Sequence, residues 1–206
     1  LDSSSQNLFT PIDQKNIFTS SGYVYDAING SKDVINSSNF YWDSIQKVYY
    51  VRNKKYSKIK PENEVFGWHP YWMGSAWESY PFELLSTISY FSYKLDPNTG
   101  SYTNPKQMNE WRTTAMIDSA KLKKTKVLLT VSSHGYTNNN SFLGDQAKWS
   151  VLIDSVSKLL LDRDADGVDI NFENLPYLKR GSFNRFIEEL RKRLNQKFGT
   201  KTPLIS

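Results

Sequence analysis

From Val65 onward the apolar positions follow two rhythms. Short apolar or alternating runs at Val65–Trp72, Leu84–Tyr93, Lys126–Val131 and Gly167–Phe172 predict strands. Longer stretches between them carry apolar residues at helical spacing. Trp149, Leu152, Ile153, Val156, Leu159 and Leu160 predict a helix over 146–162. Phe183, Phe186, Ile187, Leu190 and Leu194 predict another from about 183 to 198, with Ser182 as its N-cap. Residues 109–122 predict a further helix through Trp111, Ala115 and Ala120. Asp96-Pro-Asn-Thr-Gly100 is a turn, and Thr202-Pro-Leu-Ile-Ser206 opens one more strand. Strand alternating with helix is the signature of a parallel α/β sheet.

Residues 1–62 follow neither rhythm. Ser20-Ser-Gly22, Asn29-Gly-Ser31 and Asn36-Ser-Ser-Asn39 are turn signals at short intervals. Short aromatic pieces lie among them, and Lys47-Val-Tyr-Tyr-Val51 reads as a strand. The expected organisation is an N-terminal extension over 1–62 and an α/β domain over 63–206, with Pro61-Glu-Asn-Glu64 as the boundary. A complete (β/α)8 TIM barrel needs about 250 residues, so 63–206 is expected to hold its N-terminal part, about the first four to five strands. Such a sheet has an open edge. The remainder of the barrel or a partner chain is expected to cover it.

Composition narrows the function classes. The chain has 206 residues, 38% hydrophobic and 23% charged, which fits a folded domain and excludes wholesale disorder. Thirteen Tyr, 11 Phe and 6 Trp supply faces for a core or for sugar rings. A net charge of +5, spread along the chain, does not suggest a nucleic-acid partner. The absence of Cys removes disulfide scaffolds and thiolate zinc sites. No apolar run approaches the roughly 20 residues of a membrane span. The chain opens on Leu1 rather than Met, which leaves room for a removed leader. A secreted or cell-surface location is expected.

The chemistry concentrates in Asp166-Gly-Val-Asp169-Ile-Asn171-Phe-Glu173. On a strand, Asp169, Asn171 and Glu173 share one face, and Val168, Ile170 and Phe172 share the other. Acids gathered opposite an apolar face need a partner or a purpose. The C-terminal ends of parallel strands are also where α/β folds place their chemistry.

This stretch resembles the signature D-G-x-D-x-D-x-E of glycoside hydrolase family 18, the chitinase-like family. Asp166, Gly167, Asp169 and Glu173 match it, and Asn171 stands where the family has Asp. Gly67-Trp-His-Pro-Tyr-Trp72 is similar to the family's first strand and Lys126-Val-Leu-Leu-Thr130 to its third. Thr130-Val-Ser132-Ser133 echoes the S-x-G-G pattern that belongs there. The resemblance implies a retaining, substrate-assisted glycosidase that uses no cofactor or metal. Its substrate would be a β-1,4-linked glycan containing N-acetylglucosamine: chitin, peptidoglycan or an N-glycan. Glu173 would be the general acid and then the base. Asn171 would hold the acetamide, Asp169 would be the inner carboxylate, and Thr130 and Asp166 would support them. Tyr71, Trp72 and Tyr93 are candidates to stack on sugar. Because Asn171 carries no charge, the resemblance also admits a non-catalytic carbohydrate-binding protein.

The same residues have plainer readings. Asp166 can simply close the turn entering its strand. Tyr71, Trp72 and Tyr93 can be core. His69 and His134, each just after a predicted strand, suit packing or hydrogen bonding better than a metal. Ser132 and Ser133 lack the His and acid context of a nucleophile.

Overall fold

The computed structural model describes residues 63–206 and, in the preceding part, three strands: β1 (Phe9–Ile12), β2 (Phe40–Asp43) and β3 (Val48–Arg52). These three form an antiparallel sheet in the order β1-β3-β2. The expected strand at 47–51 is β3; the turn signals at 20–39 lie outside the described residues. The chain divides into two compact units, Leu1–Pro61 and Glu62–Ser206.

The second unit is a parallel five-stranded sheet, β4 (Phe66–Pro70), β5 (Thr87–Lys94), β6 (Lys126–His134), β7 (Gly167–Glu173) and β8 (Leu204–Ile205), in sequence order. Sequential order with helical crossovers is the winding of a (β/α) barrel. The connections carry α1 (Pro105–Thr113), α2 (Ala115–Leu122), α3 (Tyr136–Leu143), α4 (Gln146–Asp162) and α5 (Arg180–Phe198). One face of β5, β6 and β7 packs under these helices. Ile88, Tyr90, Val127, Leu129, Val131 and Val168 meet Trp111, Ile117, Leu152, Phe186 and Leu190 in a single core. Burial of this kind contributes roughly 25 cal/mol per Å² of apolar surface.

Four expectations are corrected. The helix over 109–122 is two helices, broken at Thr114, whose extended backbone (ψ 131°) interrupts one and caps the next by accepting from Met116 N–H. Ser182 lies inside α5, which begins at Arg180 out of a 3-10 turn at Tyr177–Lys179 and needs no side-chain cap. The strand ahead of Trp72 stops at Pro70, and Tyr71–Ser79 coils as 3-10 turns kinked at Gly74. The strand ahead of Tyr93 starts at Thr87, because Phe82–Leu84 forms another 3-10 turn.

Gly167 illustrates how the fold constrains the motif. A Cβ there would collide with the backbone of Leu204 on β8, so glycine lets the two strands close on each other.

Candidate active site

The face of the sheet opposite the helices collects the polar groups. At its base Asp169 of β7 is buried and receives two hydrogen bonds on one oxygen. Trp68 Nε1 of β4 donates at 2.9 Å, and Thr130 Oγ1 of β6 donates at 2.9 Å. Ser89 of β5 lies 2.7 Å from Thr130. With Asp169 ionised, Thr130 gives its one proton to the carboxylate and therefore accepts from Ser89. A relay thus runs across four strands and fixes the inner carboxylate.

One layer further along the strands, Ser132 of β6 is in register with Asn171, and its hydroxyl meets Ser92 of β5 at 2.7 Å. At the rim His134 is in register with Glu173. The Glu173 carboxyl is held on both oxygens. Asn171 Nδ2 donates to Oε1 at 3.4 Å, and His134 Nδ1 lies 3.3 Å from Oε2. The Glu173 side chain is 57% exposed and its tip is open to an incoming ligand. Its backbone is fixed more firmly. The carbonyl of Glu173 accepts from Gly135 N–H at 3.2 Å and from the amide of buried Asn139 at 2.6 Å.

Two clefts open on this face. The first, about 600 Å³, is lined by Trp68, Pro70, Trp72, Phe91, Asp169 and Asn171, with Ile170 and Ser206. The second, about 450 Å³, is lined by Tyr71, Trp72, Phe91, Ser92, Lys94 and His134, with Thr103, Asn104 and Ser132. Trp72 and Phe91 belong to both. Glu173 bonds to Asn171 of the first and His134 of the second, so it stands where they meet. Trp72 is 62% exposed and Trp68 54%, leaving broad aromatic faces open to the cleft. Among the described residues no group of three or more His, Cys, Asp or Glu is arranged to hold a metal ion.

The structure brings Asp169, Asn171, Glu173 and Thr130 together, with Tyr71 and Trp72 on the clefts. It places two residues elsewhere. Asp166 lies at the far end of β7, accepting from Val127 N–H at 2.8 Å and pairing with Lys201 at 3.2 Å. It closes the strand entry, as its plain reading holds, and acts on the site only through the fold. Tyr93 is corrected outright. It is fully buried, its hydroxyl donates to Gly100 O at 3.0 Å, and burial pushes its phenol up to about 12. A bulge between Phe91 and Tyr93 resets the alternation of β5. Ser92 takes the cleft side and Tyr93 the core.

Three residues escaped the sequence reading. Trp68 had the right phase on β4, but nothing along the chain pairs it with Asp169. His134 lay three residues beyond the expected end of its strand, which runs on from Val131 to His134. Lys94 follows the bulge, so its side depends on a backbone irregularity. His69 is buried within β4, with Nδ1 3.2 Å from Tyr80 OH, and does not reach the clefts.

Comparison with known proteins bears on the family and the fold. The model of the glycosyl hydrolases family 18 matches residues 46–206. No curated protein matches the chain by sequence. Among solved structures, a chitinase from Bacteroides thetaiotaomicron superposes with TM-score 0.58 at 16% identity, over 69% of this chain and 45% of that one. The class V chitinase from Nicotiana tobaccum gives 0.59 at 16%, over 70% and 43%. A chitinase from Cycas revoluta, solved in complex with (GlcNAc)3, gives 0.57 at 17%, over 68% and 44%. At such identities the likeness is one of fold. The chain spans less than half the length of each of these structures.

Proposed function

The chain belongs to glycosyl hydrolase family 18, and on that footing we propose that its site hydrolyses β-1,4 bonds beside N-acetylglucosamine in a glycan. The observation that carries this reading is the shared face of Asp169, Asn171 and Glu173 beside a cleft walled by Trp68 and Trp72. The carbonyl oxygen of the substrate's own acetamido group attacks the anomeric carbon from below. Glu173 gives its proton to the departing glycosidic oxygen. A cyclic oxazolinium ion forms, and water opens it after losing a proton to Glu173. Asn171 accepts the acetamide N–H, and Asp169, held by Trp68 and Thr130, supplies the negative charge behind it.

A neutral amide at 171 stabilises the cationic intermediate less than a carboxylate does, since charge-assisted hydrogen bonds are roughly twice as strong as neutral ones. That observation favours the second reading, a carbohydrate-binding protein without turnover. Incubation of the full chain with a chromogenic N-acetylglucosamine oligomer separates the two. Release abolished by Glu173→Gln supports the hydrolase. Sugar binding with no release supports the binding protein. The absence of both overturns the reading.

In the same reading the protein works outside the cell or on its surface, where such glycans lie. Among the described residues β4 and β8 each pair on one side only. We expect further chain or a partner to cover them in the working protein.

A further inference from the structure

The second cleft differs from the first in charge. Asp169 lines the first. No carboxylate is among the lining residues of the second, where, among the described residues, Lys94 is the free basic group and His134 already faces Glu173 at the junction of the two clefts. Lys94 ends β5 after the bulge and alternates with buried Tyr93, so it projects on the same side as Ser92. Its backbone N–H is fixed by Asn104 Oδ1 at 3.0 Å, and Asn104 in turn donates to Ser92 O at 2.9 Å. The lysine's root is therefore held, while its ammonium is in no ion pair among the described residues. The nearby acid Asp96 is occupied within its own turn, accepting from Asn98 N–H and Thr99 Oγ1 at 2.9 Å each.

Register fixes where this charge sits relative to the reacting groups. Lys94 pairs with Ser132, and Ser132 with Asn171. Two strand spacings, roughly 10 Å, separate Lys94 from Asn171 along one row. A disaccharide bound against Asn171 spans that distance, with Tyr71 and Trp72 beside it in the same cleft.

We infer that Lys94 selects a glycan bearing a carboxylate on the sugar next to the N-acetylglucosamine held at Asn171. This rests on the functional reading above and names its substrate class: a polyanionic glycan in which a carboxylate-bearing sugar neighbours N-acetylglucosamine. The net charge of +5 favours the approach of such a polyanion.

The test measures binding to the full chain carrying Glu173→Gln, which blocks turnover. The probes are a neutral N-acetylglucosamine oligomer and a peptide-free strand of equal length whose alternate sugars are 3-O-lactyl ethers. The expected result is tighter binding of the lactyl strand, a preference that weakens in salt and falls roughly three- to tenfold on Lys94→Gln. Lys94→Glu reverses it. A strand that also bears peptide stems separates ether from stem carboxylates; a preference seen only with stems overturns the assignment to the sugar. Equal affinity for both probes, or a preference that survives Lys94→Gln, overturns this inference alone. Binding of neither probe overturns the functional reading and this inference with it.

Discussion

At the scale of the residue, the site rests on two side chains with opposite demands. In the proposed hydrolysis Glu173 exchanges a proton with substrate, which its exposed tip between Asn171 and His134 allows. Replacing it with Gln removes the proton while keeping the shape. Turnover of an N-acetylglucosamine oligomer should fall roughly a hundred- to ten-thousandfold, with binding retained. Asn171→Asp should act in the other direction. Restoring a charge beneath the acetamide should raise kcat roughly ten- to a thousandfold, by analogy with one preorganised electrostatic group. Steady-state kinetics on the two variants checks both. A third residue speaks to pH. Burial holds His69 below its ordinary 6.5, so the fold keeps it neutral and the unfolded chain binds the proton more readily. Its contribution to stability is complete above about 6.5 and is lost as pH falls toward the folded-state value. Asp154 and Asp164, held down chiefly by hydrogen bonds from Lys197 and Lys121, lose theirs only below 3.8. Thermal unfolding between about pH 6.5 and 4 should therefore steepen with acid in the wild type and flatten in His69→Gln.

At the scale of the element, strand β7 was legible because its alternation carries both the core and the chemistry in seven residues. The phase of Val168, Ile170 and Phe172 leaves one side for Asp169, Asn171 and Glu173, and packing makes a slip by one residue costly. Strand β5 was not legible in the same way. Its alternation holds from Thr87 to Phe91, and then an extra residue reverses it, which sent Tyr93 to the core and brought Ser92 and Lys94 to the cleft. No local property of Phe91-Ser-Tyr announces that reversal. Helix α3 escaped for another reason: Tyr136-Thr-Asn-Asn-Asn-Ser is a weak helix former and carries almost no apolar rhythm. Its importance is tertiary. Asn139 ties its turn to the Glu173 carbonyl. Asn139→Ala should leave that half-buried acceptor with the Gly135 bond alone and cost about 0.5–1.5 kcal/mol of stability, read by denaturant unfolding.

At the scale of the molecule, the second unit is a run of consecutive parallel strands whose helices pack on one face and whose polar groups gather on the other. Chain alternation predicted a parallel sheet with helical crossovers; the sequential strand order, with right-handed crossovers the rule, is what puts those helices on one face. The cross-sheet relay from Trp68 through Asp169 and Thr130 to Ser89 was beyond any reading of the chain, because its members come from four strands. Stability should follow the same plan. Amides of β5, β6 and the first half of β7 pair on both sides and should exchange slowest with deuterium, and those of β4 and β8 faster. The account as a whole turns on a substrate that attacks its own anomeric centre above Asn171 while Glu173 moves the proton. Proton NMR of the first sugar released from a β-linked N-acetylglucosamine oligomer tests this most directly. Initial appearance of the β anomer is the predicted result, and initial appearance of the α anomer contradicts the account.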